Sequence, residues 1–148
     1  MLEGRRLTRK NREAGIFIYR GAEFLVFRRV SDGIWNVCAG QIEDGESYAD
    51  GAARELKEET GLVAPLVDLG MPQPYTVEER FRHLYAPDEY VVTVASYAAE
   101  APPGWEPTLN HEHSAYRWCT LDDALALLHW PEARNGVVAL ARRLGLRP

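Results

Sequence analysis

The chain has 148 residues, of which 46% are hydrophobic and 26% charged, and its formal net charge is −5. This length and composition predict one folded domain with a buried core. The acidic balance argues against a general nucleic-acid-binding surface, no apolar run is long enough to cross a bilayer, and no signal-peptide pattern follows the polar start. We therefore expect a cytoplasmic protein with neither a nucleic acid nor a membrane as partner.

The first part of the chain predicts strands. Residues 1–12 are polar and form a predicted N-terminal extension, ahead of a single domain over residues 13–148. Runs of branched and aromatic residues predict strands at residues 14–19, 24–30 and 34–38.

A glycine-rich, acidic loop over residues 40–46 leads into a helix predicted over residues 47–60. Ser47 is the expected N-cap, and Gly61 is expected to end the helix. One side of the helix carries an apolar stripe, formed by Ala49, Ala52, Ala53 and Leu56. The helix is therefore predicted to pack on a sheet through this stripe and to present acidic residues on the adjoining side.

The rest of the chain alternates between strands and helices. Further strands are predicted at residues 63–69, 75–84, 89–98 and 116–120. A proline-rich loop follows at residues 101–107, an amphipathic helix at residues 121–129, and a last helix runs to about residue 144. This alternation predicts an α/β fold, an α/β/α sandwich around a central mixed sheet.

Three acidic residues of the first helix have the spacing of a metal site. Glu55, Glu58 and Glu59 lie at positions i, i+3 and i+4, so their carboxylates project from one face within a single turn. Oxygen ligands of this kind suit a hard cation such as Mg²⁺ rather than zinc. The alternative is an ordinary solvated face. Inside a cleft, however, each pair at ~5.5 Å would repel by roughly 3 kcal/mol, which favours a bound cation.

The same helix belongs to a longer motif. Gly40 is followed after five residues by Glu46, and after seven more by the run Arg-Glu-Leu-Lys-Glu-Glu-Thr-Gly-Leu at residues 54–62. This pattern resembles the Nudix box of the Nudix hydrolases, here over residues 40–62. The resemblance implies a Nudix-type sandwich and hydrolysis of a phosphoanhydride bond with Mg²⁺, for which Mn²⁺ is a possible substitute.

The resemblance also implies roles for residues of the box. Glu58 and Glu59 are expected to bind the metal, Glu55 to act as a ligand or as the general base, and the carbonyl of Gly40 to add a ligand. Arg54 is expected to hold a glutamate in place; a direct catalytic role for its charge and a plain surface pair with Glu58 are the alternatives.

Two segments outside the box resemble the bacterial dihydroneopterin triphosphate pyrophosphatase branch of this family. They are Arg-His-Leu-Tyr-Ala-Pro at residues 82–87 and His-Glu-His-Ser-Ala-Tyr-Arg-Trp at residues 111–118. The branch implies that Glu112 joins the metal site and the catalytic residues. His111 and Ser114 depart from the branch, which has threonine and leucine there, and this leaves the substrate open.

The candidate substrate contacts are three arginines and one tryptophan. Arg28, Arg29 and Arg82 are candidates for phosphate contacts, with solvated strand-edge charges as the alternative. Trp35 is a candidate for stacking on a base or a pterin ring, although a half-buried tryptophan beside a strand is more often part of the core. The two histidines that flank Glu112 are weak evidence for zinc, because a further ligand set is lacking.

Three functions follow from these patterns. The favoured one is hydrolysis of a nucleoside or pterin triphosphate to pyrophosphate and the monophosphate. The alternative within the enzyme class is a broad nucleotide-pool cleaning hydrolase, acting on dATP, oxidised deoxynucleotides or dinucleoside polyphosphates. The alternative of another class is a non-catalytic Nudix module that senses a nucleotide, which the presence of all the box glutamates disfavours. Because family members are often dimers, a homodimer is possible.

Overall fold

The computed structural model describes residues 9–147. In this part of the chain, eight strands form one mixed sheet: β1 Arg12–Arg20, β2 Glu23–Arg29, β3 Trp35–Asn36, β4 Cys38–Gln41, β5 Val67–Asp68, β6 Gln73–Thr76, β7 Val91–Glu100 and β8 His113–Cys119. The helices of the same part are α1 Tyr48–Thr60, a 3-10 helix Glu79–Leu84, α2 Leu121–Leu127 and α3 Pro131–Arg143. The predicted α/β fold with a central mixed sheet is confirmed.

Strand β1 lies at the centre of the sheet. It pairs in parallel with β7, from Arg12 opposite Thr93 to Tyr19 opposite Glu100. On its other side it pairs with β2 only near the hairpin turn, and with β4 along its first half. The two strands of the hairpin therefore diverge, and β4 occupies the space that opens between them.

Side chains along β1 alternate between the two faces of the sheet, as the pleat requires. Ala14, Ile16 and Ile18 belong to the core beneath α1, whereas Phe17 belongs to the core beneath α2 and α3. Helix α3 approaches the sheet closely at Gly136, where a Cβ atom would overlap the ring of Phe17. Glycine is therefore required at this crossing unless the ring moves.

Replacing Gly136 by alanine should lower the free energy of unfolding by about 1–3 kcal/mol, since an added methyl group overpacks a buried contact. Urea unfolding measures this change, and Arg142→Ala, at an exposed position of the same helix, is the control. Alanine is the better helix former by about 1 kcal/mol. If the variant is instead more stable than the wild type, the ring of Phe17 can move aside at little cost, and its contact with Gly136 does not fix the position of α3.

Several predicted boundaries differ from the structure. The strand predicted at residues 75–84 is wrong in its second half, where the 3-10 helix Glu79–Leu84 replaces it. Its turn is closed by Phe81 N–H donating to the carbonyl of Glu78, and Phe81 itself is 43% exposed. The strand predicted at residues 63–69 shortens to β5, because only Val67 and Asp68 pair with β7, and Val63 is 77% exposed. Apolar residues alone did not indicate burial here.

The N-terminal boundary of the domain stays a prediction. Of the predicted extension over residues 1–12, residues 1–8 lie outside the described part. Arg9 bridges to Tyr85, and the Lys10 N–H donates to the side chain of Gln41 at 2.9 Å. Between residues 9 and 147, none of the helices combines the length and the apolar character needed to cross a membrane.

Candidate active site

Helix α1 positions the acidic residues. Ser47 caps its start by accepting a hydrogen bond from the Asp50 N–H at 3.0 Å, and Gly61 ends it with a φ of 80°. Both predictions for the helix ends are confirmed. The predicted apolar stripe is wrong for Ala49 and Ala53, which are exposed.

The buried face of α1 lies slightly around the helix from the predicted stripe. It comprises Gly51, Ala52, Leu56, Glu59 and Thr60. Ala52, Leu56 and Glu59 follow the i, i+4, i+7 spacing of one helix face. Glu59 is consequently only 2% exposed, although the sequence predicted a position beside the packed face.

A cleft of about 700 Å³ lies where α1, β4 and the start of β8 meet. Among the predicted site residues, it is lined by Arg29, Gly40, Glu55, Glu59 and Glu112. It is also lined by residues that the sequence did not single out for a site, among them Arg9, Lys10, Glu13, Val37, Ala39 and Gln41. The fold thus brings together the helix glutamates, the loop glycine and the distant Glu112.

Position 40 requires glycine because the carboxyl group of Glu55 lies against it. It lies in β4 opposite Ala14, and a Cβ atom at this position would overlap the carboxyl group of Glu55. The Glu55 carboxylate therefore lies directly against the backbone of β4. Any other residue at position 40 would displace it from the cleft.

Arg54 holds the glutamates of the loop and the helix. Its guanidinium donates to both carboxylate oxygens of Glu46 at 2.8 and 3.0 Å, and to Glu55 Oε1 at 2.9 Å. It also donates to the Gln41 carbonyl at 2.9 Å and, at 3.3 Å, to Glu58. These hydrogen bonds lower the pKa of Glu46 to about 2 and raise the pKa of Arg54. This geometry favours the holding role over a plain surface pair.

Glu59 is a buried carboxylate without a complete set of partners. Burial raises the pKa of Glu59 well above its usual range, and the adjacent Glu55 and the charge of Glu112 raise it further. Within residues 9–147 its Oε1 atom accepts no hydrogen bond, and Nε2 of His113, an imidazole whose pKa is lowered by burial, is 3.9 Å away. An unpaired buried carboxylate is strongly unfavourable, so the site requires a proton or a cation here.

The donor set fits a hard divalent cation. Glu55, Glu59 and Glu112 supply carboxylate oxygens, and β4 supplies the backbone of Gly40. Within residues 9–147, no three side chains of His, Cys, Asp or Glu already stand in position around one point. Because Glu55 is still bonded to Arg54, a cation would need this carboxylate to turn, with backbone and water oxygens completing its shell.

A model of the NUDIX domain matches residues 9–140 of the chain. This chain belongs to the Nudix family. The membership confirms the prediction of a Nudix hydrolase made from residues 40–62, and with it the prediction of an enzyme. Nudix hydrolases as a family use divalent metal ions and act on small nucleotide substrates.

The chain is similar to curated proteins with different names. The chain is 34% identical over 117 residues to the mouse bis(5'-nucleosyl)-tetraphosphatase, covering 76% of this chain and 74% of that one. It is 31% identical over 105 residues to the Escherichia coli dihydroneopterin triphosphate diphosphatase, covering 68% of this chain and 69% of that one. It is 38% identical over 122 residues to a Myxococcus xanthus octanoyltransferase, covering 78% of this chain but only 31% of that one.

A solved structure shows the same fold. The E. coli dihydroneopterin triphosphate pyrophosphohydrolase superposes with a TM-score of 0.82, at 24% identity, covering 92% of this chain and 98% of that one. The predicted Nudix-type fold is therefore confirmed over most of the chain.

Five residues predicted for the site of this Nudix protein do not line the cleft, and Arg54, which bonds Glu55 from outside it, is one of them. Glu58 is on the exposed edge of α1, with 55% of its side chain accessible. Arg28 donates to Ser114 Oγ at 3.3 Å, and Trp35 packs in the core beneath α2 and α3. Arg82 donates to a nearby backbone carbonyl and lies 5.0 Å from the ring centre of Tyr90. Trp35 thus takes the core position that was its alternative, and the substrate contacts of these residues stay predictions.

Glu13 and Glu43 are acidic cleft residues that sequence patterns missed, and Glu13 is the one that lies on the central strand. It lies on β1 opposite Gln41, and Tyr75 donates a hydrogen bond to its Oε2 at 2.9 Å. Burial raises the pKa of Glu13. The available signal was a single acidic residue at the start of an apolar strand, which becomes informative only once the pairing of β1 with β4 is known.

Proposed function

We propose that this chain is a Mg²⁺-dependent pyrophosphohydrolase that cleaves a phosphoanhydride bond in a nucleoside or pterin triphosphate, releasing pyrophosphate and the monophosphate. The observation that carries the proposal is the buried, unpaired Oε1 of Glu59 in a cleft shared with Glu55 and Glu112. A carboxylate cluster of this kind is stable when a cation neutralises it, and a cation is what phosphoanhydride hydrolysis needs.

Residues of the cleft divide into two groups with different tasks. Glu55, Glu59, Glu112 and the carbonyl of Gly40 would hold Mg²⁺, or Mn²⁺ in its place; Glu58, on the exposed edge of α1, would join them only if its side chain turned toward the cleft. The bound ion would neutralise phosphate charge and lower the pKa of a coordinated water.

The cationic side of the cleft would bind the phosphates. Arg9, Lys10 and Arg29 line it, and their side chains can pair with phosphate oxygens. Arg54 positions Glu55 from outside the cleft, and a cleft carboxylate, Glu55 or Glu112, accepts the proton of the attacking water. The cleft volume of about 700 Å³ is in the range of sites for one small ligand.

A second substrate class has its own support. The mouse relative is a bis(5'-nucleosyl)-tetraphosphatase, and it matches over three quarters of this chain. Hydrolysis of dinucleoside polyphosphates, within a broader nucleotide-pool cleaning activity, is therefore the second candidate. A sensing module without hydrolysis is the alternative of another class, and a homodimer and a cytoplasmic location stay predictions.

A substrate panel tests the proposal. The protein is incubated with Mg²⁺ and with nucleoside triphosphates, dihydroneopterin triphosphate or diadenosine tetraphosphate, and the products are identified by chromatography. Release of pyrophosphate and a monophosphate supports the favoured function, whereas cleavage of diadenosine tetraphosphate alone supports the second candidate. Binding without turnover of any compound would contradict an enzyme and favour the sensor.

Millimolar Mg²⁺ should stabilise the protein, because ligand binding to the native state shifts unfolding by mass action. At a concentration one hundred times the Kd, the gain is about 2.7 kcal/mol, or roughly 5–10 °C in Tm for a chain of this size. Differential scanning calorimetry with and without the metal measures it. Glu59→Gln should lose most of the shift, and an equal shift in both proteins would place the ion elsewhere.

A further inference from the structure

The segment that joins β4 to α1, residues 42–47, separates the backbone of Gly40 from the helix that carries Glu55. We call this segment the box loop. Its turn is closed by the Glu46 N–H, which donates to the Glu43 carbonyl at 3.0 Å. Two parts of the candidate metal site therefore flank the box loop, so a displaced loop would shift one part relative to the other.

Arg12, the first residue of β1, holds the backbone of the box loop at three points. Its guanidinium donates to the carbonyls of Glu43 and Glu46, each at 2.9 Å, and its own carbonyl accepts the N–H of Ile42 at 2.9 Å. The guanidinium also lies over the ring of Tyr48, 5.5 Å from the ring centre. One residue outside the Nudix box thus bonds the loop at its start and at both ends of its turn.

Glu46 lies between two guanidinium groups. Its carbonyl accepts from Arg12, and its two carboxylate oxygens accept from Arg54 at 2.8 and 3.0 Å. Arg54 in turn donates to Glu55 Oε1 at 2.9 Å. A continuous series of hydrogen bonds and backbone therefore leads from Arg12 through Glu46 and Arg54 to a carboxylate of the cleft.

We propose that Arg12 is a positioning residue of the metal site, which fixes the box loop so that Glu46 and Arg54 hold Glu55 in place for the cation. The proposal rests on the proposed function, in that Glu55 is taken to bind a divalent metal ion. Arg12 contacts neither the ion nor the substrate. It adds to that function a residue outside the Nudix box that sets the affinity for the metal.

Arg12→Lys should weaken Mn²⁺ binding about tenfold, the lower end of the loss seen when residues that orient metal ligands are replaced. Lysine keeps the positive charge, so the field at the cleft changes little. Its ammonium group lacks the planar fork that reaches two carbonyls at once, so one of the two loop carbonyls loses its partner. Electron paramagnetic resonance, which detects free Mn²⁺, measures the Kd without any substrate.

Arg20, at the other end of β1, provides the matched control. Its guanidinium donates to the Trp105 carbonyl at 2.7 Å and to Glu106 at 3.2 Å, and lies 4.1 Å from the ring centre of Trp118. None of these four residues lines the cleft. Arg20→Lys should therefore loosen a loop in the same way but leave the Kd for Mn²⁺ within twofold of the wild type. An unchanged Kd in Arg12→Lys, or an equal increase in both variants, would overturn the proposal.

Amide hydrogen exchange in the metal-free proteins tests the effect on the loop itself. In Arg12→Lys, exchange at the Glu46 N–H should become about threefold to tenfold faster, as expected for the loss of one net hydrogen bond. Unchanged exchange there would contradict the proposal. If Arg12→Lys does not fold, the measurements are made on all three proteins in trimethylamine N-oxide, which favours the folded state.

Kinetics separate this inference from the proposed function. The Mg²⁺ concentration for half-maximal rate should rise about tenfold in Arg12→Lys, whereas kcat at saturating Mg²⁺ should stay within about threefold of the wild type. If the wild type hydrolyses no compound, but Arg12→Lys binds Mn²⁺ more weakly and exchanges faster, the hydrolase proposal alone fails. If hydrolysis occurs with the same Mg²⁺ dependence in both proteins, the hydrolase proposal stands and the role of Arg12 is overturned.

Discussion

Glu59→Gln should reduce hydrolysis by about 10²–10³-fold, the loss typical of removing one preorganised electrostatic group from an active site. The side chain is 2% exposed, and its Oε1 has no partner in the described structure. Glutamine keeps its shape but not its charge, so the variant should lose its cation while the fold is retained. Without metal, the free energy of unfolding should stay equal or rise, because folding of the variant no longer requires the proton uptake that the raised pKa of the buried Glu59 carboxyl imposes.

Initial rates and urea unfolding in a chelating buffer measure the two effects of Glu59→Gln separately. Glu100→Gln, at an exposed site, provides the control for removing one negative charge. If the activity of the variant stays within twofold of the wild type, Glu59 does not contribute to hydrolysis. A loss of several kcal/mol of stability in the chelating buffer would instead assign it a structural role.

Arg54→Ala should impair both stability and catalysis. Glu46, Glu55 and the Gln41 carbonyl would all lose a hydrogen bond to the guanidinium. Because the Arg54 side chain is 25% exposed, water can replace part of what is lost, and we expect a fall of about 2–4 kcal/mol in the free energy of unfolding. Misplacement of Glu55 should lower hydrolysis by about 10–100-fold, as for other residues that orient a metal ligand.

Urea unfolding and initial rates, the latter at a temperature where the variant stays folded, measure the effects of Arg54→Ala. Lys57→Ala removes an exposed cation from the same helix and is the matched control. Arg54→Lys keeps the charge but cannot bond both oxygens of Glu46, so it should recover only part of the loss. Full recovery by lysine would show that the charge acts alone and that the forked geometry is dispensable.

Local patterns were sufficient to predict the helix that carries the candidate site and both of its ends. Ser47 and Gly61 set the ends of α1 through their own backbone preferences, and the spacing from Gly40 to Glu59 depends on one loop and one helix. The sequence did not show which face of α1 would be buried. Ala49 and Ala53 are as apolar as Ala52, so composition could not show that Glu59 would occupy the buried face.

Features that depend on contacts between distant segments were not predictable. Glu13 enters the cleft because β1 pairs with β4, and Arg9 because it bridges to Tyr85. Arg28 and Arg29 are neighbours in sequence, yet an irregularity in the pairing of β2 with β8 falls between them, and only Arg29 lines the cleft. Register and bulges of this kind are set by the whole sheet.

The parallel pairing of β1 with β7 has a consequence for how the protein is made on the ribosome. Arg12 pairs with Thr93, and Glu112 precedes β8, which closes the other side of β2. When the Nudix box has just emerged from the ribosome, β7 has not yet been made, so one edge of β1 is unpaired. Unpaired strand edges pair readily with other chains. The box alone cannot assemble a working pocket, which forms late in synthesis, when the last strands emerge from the exit tunnel.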